Sequence, residues 1–281
     1  MRILHYRADV RGVVFVLLAL GVPAVQWGGL CGHPLLYAAG FPLVFIACVI
    51  NHNHQHHPTF VPRRLNQLFG LLLSLAIGFP ATGSVAMHNY NHHVHNNHAE
   101  DYVRASLVHF RWNLLNLLLF PVVALAHFVP VKSRELAAWR TEHPALYRQL
   151  RLERWTFYGL FLLLFFLGPL ETLIYFVLPW LYGQWGILTI NHVQHDGCDP
   201  DSAYNHSRDF VGPWLNWWAF NNGYHTTHHL RPGLHWSLLP EFHREIRPRL
   251  DPSLERRSLV LALIEFYIWP SRRPTAKGVR V

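Results

Sequence analysis

Histidine side chains are concentrated in four short stretches of this sequence. The chain has 22 histidines in 281 residues, and fourteen of them fall at 52–57, 88–98, 192–195 and 225–229. Crowded imidazoles each need a hydrogen-bond partner when buried, and they repel one another when protonated. A bound metal ion removes both costs, because neutral imidazole is the commonest side-chain metal ligand. The four stretches therefore predict a metal centre.

The spacing inside each stretch can bring imidazoles to one face of a helix, because residues three and four positions apart are neighbours there. We call the stretches the first box (52–57), the second box (88–98), the NxxxH element (191–195) and the third box (225–229). The residues with suitable spacing are His52 and His56, then His88, His92 and His93, then Asn191 and His195, and finally His225, His228 and His229.

The spacing of the histidines does not by itself identify the number or the kind of metal ions. One tetrahedral zinc takes three or four ligands, so nine or more histidines favour two ions. Imidazole-rich sites with open positions admit iron, copper or zinc. A zinc protease is disfavoured because the sequence has no HExxH. The isolated histidines are interpreted as ordinary polar residues: His5, His33, His109, His127 and His143.

The composition indicates an all-α integral membrane protein. Apolar residues make up 51% of the chain and charged residues only 14%, against roughly a quarter charged in a soluble domain. Four apolar blocks, each near the length of about 20 residues that spans a bilayer, predict transmembrane helices at about 10–30, 34–50, 155–170 and 171–190. The turns inside the two pairs lack Lys and Arg, so the blocks form two hairpins within a single domain covering 1–281.

The basic residues predict the orientation. The formal net charge is +8, and Lys and Arg flank the apolar blocks, which fits positive-inside topology better than a nucleic-acid-binding face. Both termini and the metal centre are therefore expected in the cytoplasm, with a histidine-rich cap at 51–154 and 191–270. The apolar stretches 65–87 and 113–131 are interpreted as interfacial or re-entrant helices, because one extra crossing would separate the histidine stretches. The tail at 271–281 is expected to be loose.

The cysteines do not suggest a second kind of site. Cys31, Cys48 and Cys198 are far apart in the sequence and form no CxxC pair. An odd and scattered set disfavours both a disulfide framework and a thiolate zinc site. We interpret them as structural thiols.

The ordered motifs resemble those of the membrane fatty acid desaturase superfamily, which includes membrane hydroxylases, acetylenases and carotenoid ketolases. The resemblance rests on HxxxH after a second apolar helix, followed by HxxxHH, NxxxH and HxxHH, and it covers about 49–243. It implies a mushroom-shaped four-helix membrane anchor with a cytosolic cap over a non-haem di-iron centre. The chain departs from the family in its first box, which lacks the usual acidic residue, and in the longer spacing of its second box.

The resemblance also implies roles for individual residues. The implied iron ligands are His52, His56, His88, His92, His93, His195, His225, His228 and His229, with Asn191 holding a metal-bound water. Because the first box contains four histidines, His54 and His57 remain alternative ligands. Four polar residues beside the boxes are candidates for orienting imidazole N–H groups, although loop solvation or capping explains them equally well: Asp101, Asp196, Asp199 and Asn222.

The activity implied by the resemblance is an O2-dependent oxidation, with two iron ions as cofactor, that introduces a double bond into a fatty acyl chain or related lipid. Hydroxylation, acetylenation and ketolation stay open as alternatives, because sequence spacing does not distinguish them. A non-catalytic metal-binding or metal-transport protein is less favoured, since the predicted spans contain almost no polar residues that would form a path for ions.

The expected partners follow from the same interpretation. They are the lipid bilayer, the lipid substrate and a separate electron donor such as a ferredoxin or cytochrome b5 type protein, because the sequence has no flavin or nicotinamide glycine fingerprint. The basic segment 132–154 suits anionic lipid better than an acyl carrier protein, which stays possible. Trp214, Trp217 and Trp218 are interpreted as interfacial anchors, with an acyl-tunnel wall as the alternative.

Overall fold

A computed structural model describes residues 2–269, which divide into two compact units. The first unit contains the chain up to Ala86 together with Ser133–Ile187, and the second contains Met87–Lys132 together with the chain from Leu188 onward. The tail predicted to be loose lies outside the described residues. The expectation of one domain over 1–281 stays a prediction.

The chain is mostly helical, as its composition predicted. In addition to the α-helices, the chain has three π-helical segments: His88–His92, Leu173–Val177 and Ile264–Ile268. Two short parallel strands, β1 (Asp209–Phe210) and β2 (Glu255–Arg256), pair in the second unit. The α-helices are α1 (Asp9–Trp27), α2 (Pro34–His56), α3 (Arg63–Ile77), α4 (Gly83–Met87), α5 (His93–His95), α6 (Asn113–Glu142), α7 (Pro144–Leu167), α8 (Pro169–Thr172), α9 (Leu178–His195), α10 (Pro213–Trp218), α11 (His225–Leu230), α12 (Leu239–Ile246) and α13 (Leu259–Leu263).

Three helical segments are long and apolar enough to cross a membrane: Asp9–Trp27, Pro34–His56 and Pro169–His195. They coincide with three of the four predicted spans. Two of them run further than predicted, because α2 continues past residue 50 to His56 and α9 continues past residue 190 to His195. The NxxxH element and all of the first box except His57 therefore lie on these helices, beyond the predicted ends of the spans.

The fourth predicted span, 155–170, corresponds to the second half of α7. That helix ends at Leu167, before the predicted end, because Gly168 breaks it and Pro169 starts the next helix. Its apolar part, from Trp155 to Leu167, is about 20 Å long at the usual helical rise, against about 30 Å for a hydrocarbon core. The first half carries Arg151, Glu153 and Arg154. A crossing by α7 stays a prediction.

The two segments expected at the interface also form helices. Helix α3 has 15 residues and ends where Gly78 adopts a left-handed conformation with φ 78°, so it is shorter than a bilayer-spanning helix. Helix α6 would add a fourth candidate span only if Asn113–Val129 and Ser133–Glu142 are taken together as one bent segment. Whether either helix lies at the interface or re-enters stays a prediction.

Close packing of α2 on α9 stabilises the first unit. A Cβ atom added at Gly183 would lie 2.6 Å from Val44 Cγ1, and one added at Gly186 would lie 2.8 Å from Phe45 Cδ2. Small residues at such positions let membrane helices approach each other closely. Glu153 adds a polar anchor, since its buried carboxylate accepts hydrogen bonds from Thr82 N and Thr82 Oγ1 at 2.8 and 2.7 Å.

The second unit has its own apolar core around the end of α9. The core contains Leu117, Val193, Phe210, Ala262, Phe266 and Tyr267. The fully buried Arg208 donates from Nη1 to the Val193 carbonyl at 2.6 Å and from Nη2 to the Asp196 carbonyl at 3.2 Å. A cation at the C-terminal end of a helix satisfies its last carbonyls and complements its dipole. This contact fixes the end of the helix that carries His195.

Candidate metal centre

Four imidazoles of the second unit converge on one small volume. One ring nitrogen from each lies within 4.8 Å of those of the other three, and three of the four residues are buried. We call this set the four-histidine group: His92, His195, His225 and His229. Four nitrogen donors at such distances match the number and type of ligands that a first-row transition metal takes from proteins.

Three different elements position the four-histidine group. His92 ends the π-helical segment His88–His92, and His195 is the last residue of α9. His225 and His229 lie one turn apart on α11, so their rings are 4.6 Å apart between centroids. The convergence therefore depends on the tertiary arrangement of the unit and not on any single helix.

Two imidazoles of this group have a fixed tautomer. His92 Nδ1 lies 2.7 Å from the buried Asp101 Oδ2, and His195 Nδ1 lies 3.1 Å from the carbonyl oxygen of His206. Both partners are acceptors, so each Nδ1 must carry the proton, and each Nε2 presents a lone pair. Orientation of this kind, from a carboxylate or a backbone carbonyl, is usual for histidines that bind metals.

The surroundings of the Asp101 carboxylate keep it charged beside His92. Burial raises its pKa, but the charge and hydrogen bond of His92, with the amides of Val103 and Asn97, outweigh burial and lower the pKa to about 2. The two backbone amides donate to it at 2.9 and 2.8 Å. Asp101 therefore stays ionised over the physiological pH range. It accepts a hydrogen bond from His92 Nδ1 without taking the proton.

Buried nitrogen atoms in the group also fit a metal. In the part of the chain that the structure describes, His92 Nε2 and His229 Nε2 are buried and have no hydrogen-bond partner. Buried polar atoms in native proteins nearly always have a partner. Burial, followed by the neighbouring His93 and His225, lowers the pKa of His229 well below its ordinary value, which keeps this imidazole neutral and able to donate a lone pair.

A second convergence lies next to the first. His93 Nε2 is 3.0 Å from both His88 Nε2 and His228 Nε2. We call His88, His93 and His228 the three-histidine group. The two groups are adjacent, because the rings of His93 and His229 stack with centroids 4.4 Å apart. Two neighbouring ions could therefore share this part of the second unit.

The structure divides the second and third boxes in a way that the spacing did not predict. In the second box, the π-helical turn widens the helical repeat, so His88 meets His93 and His92 faces the other group. In the third box, His228 joins the three-histidine group, whereas His225 and His229 join the four-histidine group. The second box and the third box thus each contribute to both groups.

The first box belongs to the first unit. His52 and His56 lie on the last turns of α2, with ring centroids 5.1 Å apart. The other two histidines of the box have local contacts: His54 Nδ1 lies 2.9 Å from Thr59 Oγ1, and the His57 ring packs edge-on against His5 at 5.3 Å. His52 and His56 share one face of α2, because they are four residues apart on the helix.

The other polar residues singled out from the sequence have varied surroundings. Asp196 accepts a hydrogen bond from Tyr267 Oη at 2.8 Å and lies 3.9 Å from His192 Nε2. Asp199 accepts from the Asp201 amide at 3.0 Å and so shapes its own loop. The Asn222 carbonyl accepts from Gln194 Nε2 at 2.9 Å. Asn191 lies on α9 one turn before His195, with its Nδ2 buried and unpartnered among the described residues.

Sequence reasoning missed His206. Its carbonyl holds the proton of His195 Nδ1, and its own buried ring lies 5.3 Å from that of His229. Burial and the neighbouring His92 lower the pKa of His206 to about 4. A single histidine in a polar loop carries no spacing signal, and the backbone contact to His195 becomes visible only when the loop is folded.

The chain matches a known protein family. A model of the fatty acid desaturase family matches residues 26–259, which include every histidine box and most of the chain. No curated protein and no solved structure gives a significant match. The family match confirms the resemblance inferred from the ordered motifs.

Proposed function

Because this chain belongs to the fatty acid desaturase family, we propose that it is a membrane-bound, O2-dependent oxidoreductase with two iron ions that introduces a double bond into a fatty acyl chain or a related lipid. The observation that carries the proposal is the convergence of the four-histidine group in the second unit, next to the three-histidine group. Helices long and apolar enough to span a membrane fit an enzyme with a lipid substrate.

The histidine groups suggest how the chain divides its ligands. The four-histidine group would hold one iron and the three-histidine group the other, with His52 and His56 as further ligands. Their one-turn spacing on α2 and their place in the first box support this assignment. Asn191, one turn before His195, would hold a water at the centre.

The protein's own residues supply orientation and an apolar setting. Asp101 and the His206 carbonyl hold the Nδ1 protons, which fixes the direction of two Nε2 lone pairs. When bound, iron supplies the redox chemistry with O2 that oxidation of an unactivated C–H bond requires. Burial of four of the proposed ligands limits access of water to the centre; these are His92, His195, His225 and His228.

We place the centre and both termini on the cytoplasmic side, on the basis of the basic residues that flank the apolar helices. Electrons would come from a separate ferredoxin or cytochrome b5 type protein. Trp214, Trp217 and Trp218 on α10 are exposed, which supports interfacial anchoring. The basic segment at 132–154 suits anionic headgroups, and an acyl carrier protein is the alternative partner.

Product analysis in a host that expresses the chain tests the proposal. Loss of two hydrogens from a cellular lipid indicates desaturation, whereas gain of one oxygen indicates a hydroxylase or ketolase with the same metal centre. The His195→Ala variant, which removes a ligand, is the matched control and should give no new product. Tight metal binding with no lipid product would contradict the proposal and favour a non-catalytic metal-binding protein.

A further inference from the structure

A cluster of charged residues in the second unit, outside both histidine groups, packs against α11. His243 on α12 lies between two carboxylates, with Nδ1 3.2 Å from Asp209 Oδ2 and Nε2 3.0 Å from Glu255 Oε2. Asp209 and His243 are almost fully buried. We call these three residues the Asp209–His243–Glu255 cluster.

The parallel pairing of β1 with β2 explains why the two carboxylates are close. Asp209 and Glu255 are direct partners in the register of the two strands, and side chains at paired positions lie on the same side of a sheet. Two like charges opposite each other would be destabilising. A cation between them removes this repulsion, and His243 occupies that position.

The two carboxylates favour the cationic form of His243. Each ring nitrogen faces a carboxylate oxygen, so both nitrogens can donate only if the ring carries two protons. Burial lowers the pKa of His243, but the hydrogen bonds and charges of Asp209 and Glu255 outweigh burial and raise it above its ordinary value. Arg247 holds Glu255 from the solvent side, donating from Nε and Nη2 at 2.9 and 2.8 Å.

The cluster is connected to the helix that carries the third box. The other oxygen of Asp209, Oδ1, accepts a hydrogen bond from the Thr226 amide at 2.7 Å, in the first turn of α11. Thr227 Oγ1 lies 3.3 Å from His243 Nδ1. These threonines stand between His225 and His228 in the sequence, so the cluster holds the backbone between ligands of both histidine groups.

We propose that His243 is a positioning residue for the metal centre: it bridges Asp209 and Glu255, and through Asp209 it fixes the orientation of α11 and its three histidines. This inference rests on the proposed function, because it assumes that the third box binds metal. It adds a structural role for a histidine that contacts neither histidine group.

Iron binding by the purified full-length protein tests the role. Loss of a partner that orients metal ligands typically reduces metal affinity or activity by about 10–100-fold, and His243 acts one contact further away. We therefore expect an iron(II) chelator to extract metal about tenfold faster from His243→Gln than from the wild type. The near-infrared magnetic circular dichroism of the iron(II) centre should also shift, because it reports coordination geometry and not overall stability.

Two further variants separate positioning from general destabilisation. His235→Gln is the matched control, because His235 is equally buried and instead caps the turn at Ser237; it should keep the wild-type spectrum. The double variant His243→Gln with Glu255→Gln removes one of the facing charges and should recover part of the iron retention. If His243→Gln does not fold, Asp209→Asn replaces it, with the same expected spectral shift.

The possible outcomes distinguish the two proposals. Wild-type iron retention and an unchanged spectrum in His243→Gln, or in Asp209→Asn where that variant replaces it, would overturn the positioning role and leave the proposed function intact. A wild type that binds two irons but forms no oxidised lipid would contradict the proposed function and leave the positioning role testable by the same spectra. A wild type that binds no iron would overturn both.

Discussion

The two histidine groups of the second unit differ in how completely the surrounding protein fixes them. In the four-histidine group, Asp101 and the His206 carbonyl fix two tautomers, and three of the four residues are buried. In the three-histidine group, His88 and His93 are only half-buried, and His93 Nε2 lies 3.0 Å from the Nε2 atoms of His88 and His228. The difference indicates that the four-histidine group is preorganised, whereas the surrounding protein restrains the imidazoles of the three-histidine group less.

Removing one ligand from each group gives the largest expected effect. His195→Ala and His88→Ala should each lose one of two irons and lower activity by more than the roughly 100-fold upper range for partners that only orient ligands. The iron left in His88→Ala should resist a chelator for longer, because it is held by the four-histidine group. Metal analysis and timed chelation check this, and equal release from both variants would contradict the comparison.

Asp101→Asn tests whether the negative charge of the carboxylate strengthens iron binding by the four-histidine group. The amide can still accept the His92 proton but carries no charge, so we expect a loss of about 10–100-fold in iron affinity. Asp201→Asn, at an exposed aspartate on a loop, should leave affinity unchanged. Competition with a chelator measures the effect. If Asp101→Asn and Asp201→Asn bind iron equally well, Asp101 has no orienting role.

Gly223→Ala tests how strictly the third box is positioned. A Cβ atom at Gly223 would overlap the Phe210 carbonyl oxygen and come within 2.6 Å of Asn216 Oδ1. Overpacking of this kind costs about 1–3 kcal/mol, so we expect a lower melting temperature and less bound iron. Gly233→Ala is the control, because nothing lies within 4 Å of its added Cβ. Similar melting temperatures for the two variants would show that the segment before α11 adapts.

The charge on His243 predicts a dependence of stability on pH. A raised pKa in the folded state means that the stabilisation is fully present below the unfolded value of about 6.5 and is lost as pH rises through the folded pKa. The groups facing it are Asp209 and Glu255, with Thr227 and Tyr224 beside them. Thermal unfolding from about pH 6 to about pH 9 should therefore converge for wild type and His243→Gln. A constant difference would mean that His243 is not charged.

The smallest effect is expected for His54 in the first box. His54→Ala should keep both irons, because the His54 ring is engaged with Thr59 and packs edge-on against Phe69 at 5.1 Å. His56→Ala should lose iron if the proposed choice of His52 and His56 as the ligands of the first box is correct. Iron stoichiometry of the two variants measures this. Loss of iron from His54→Ala alone would reverse the assignment within the box.

Much of the fold could be predicted because it depends on local patterns. Apolar blocks near the required length predicted α1, α2 and the helix ending at His195, although this last helix begins at Pro169 and not at the predicted residue 171. The span at 155–170 was harder to judge, since the charged first half of α7 and its apolar second half form one continuous helix. Length and hydropathy do not reveal where such a helix lies in a bilayer.

The sequence by itself determined which side chains are available for metal binding, since the spacing of the boxes follows from the repeat of the helix that carries them. Only the tertiary structure decided how they are grouped. The π-helical turn at His88–His92 changes that repeat, and the acceptors for His92 and His195 come from residues nine and eleven positions away. Contacts of this kind arise from chain folding over a distance, which no helical period encodes.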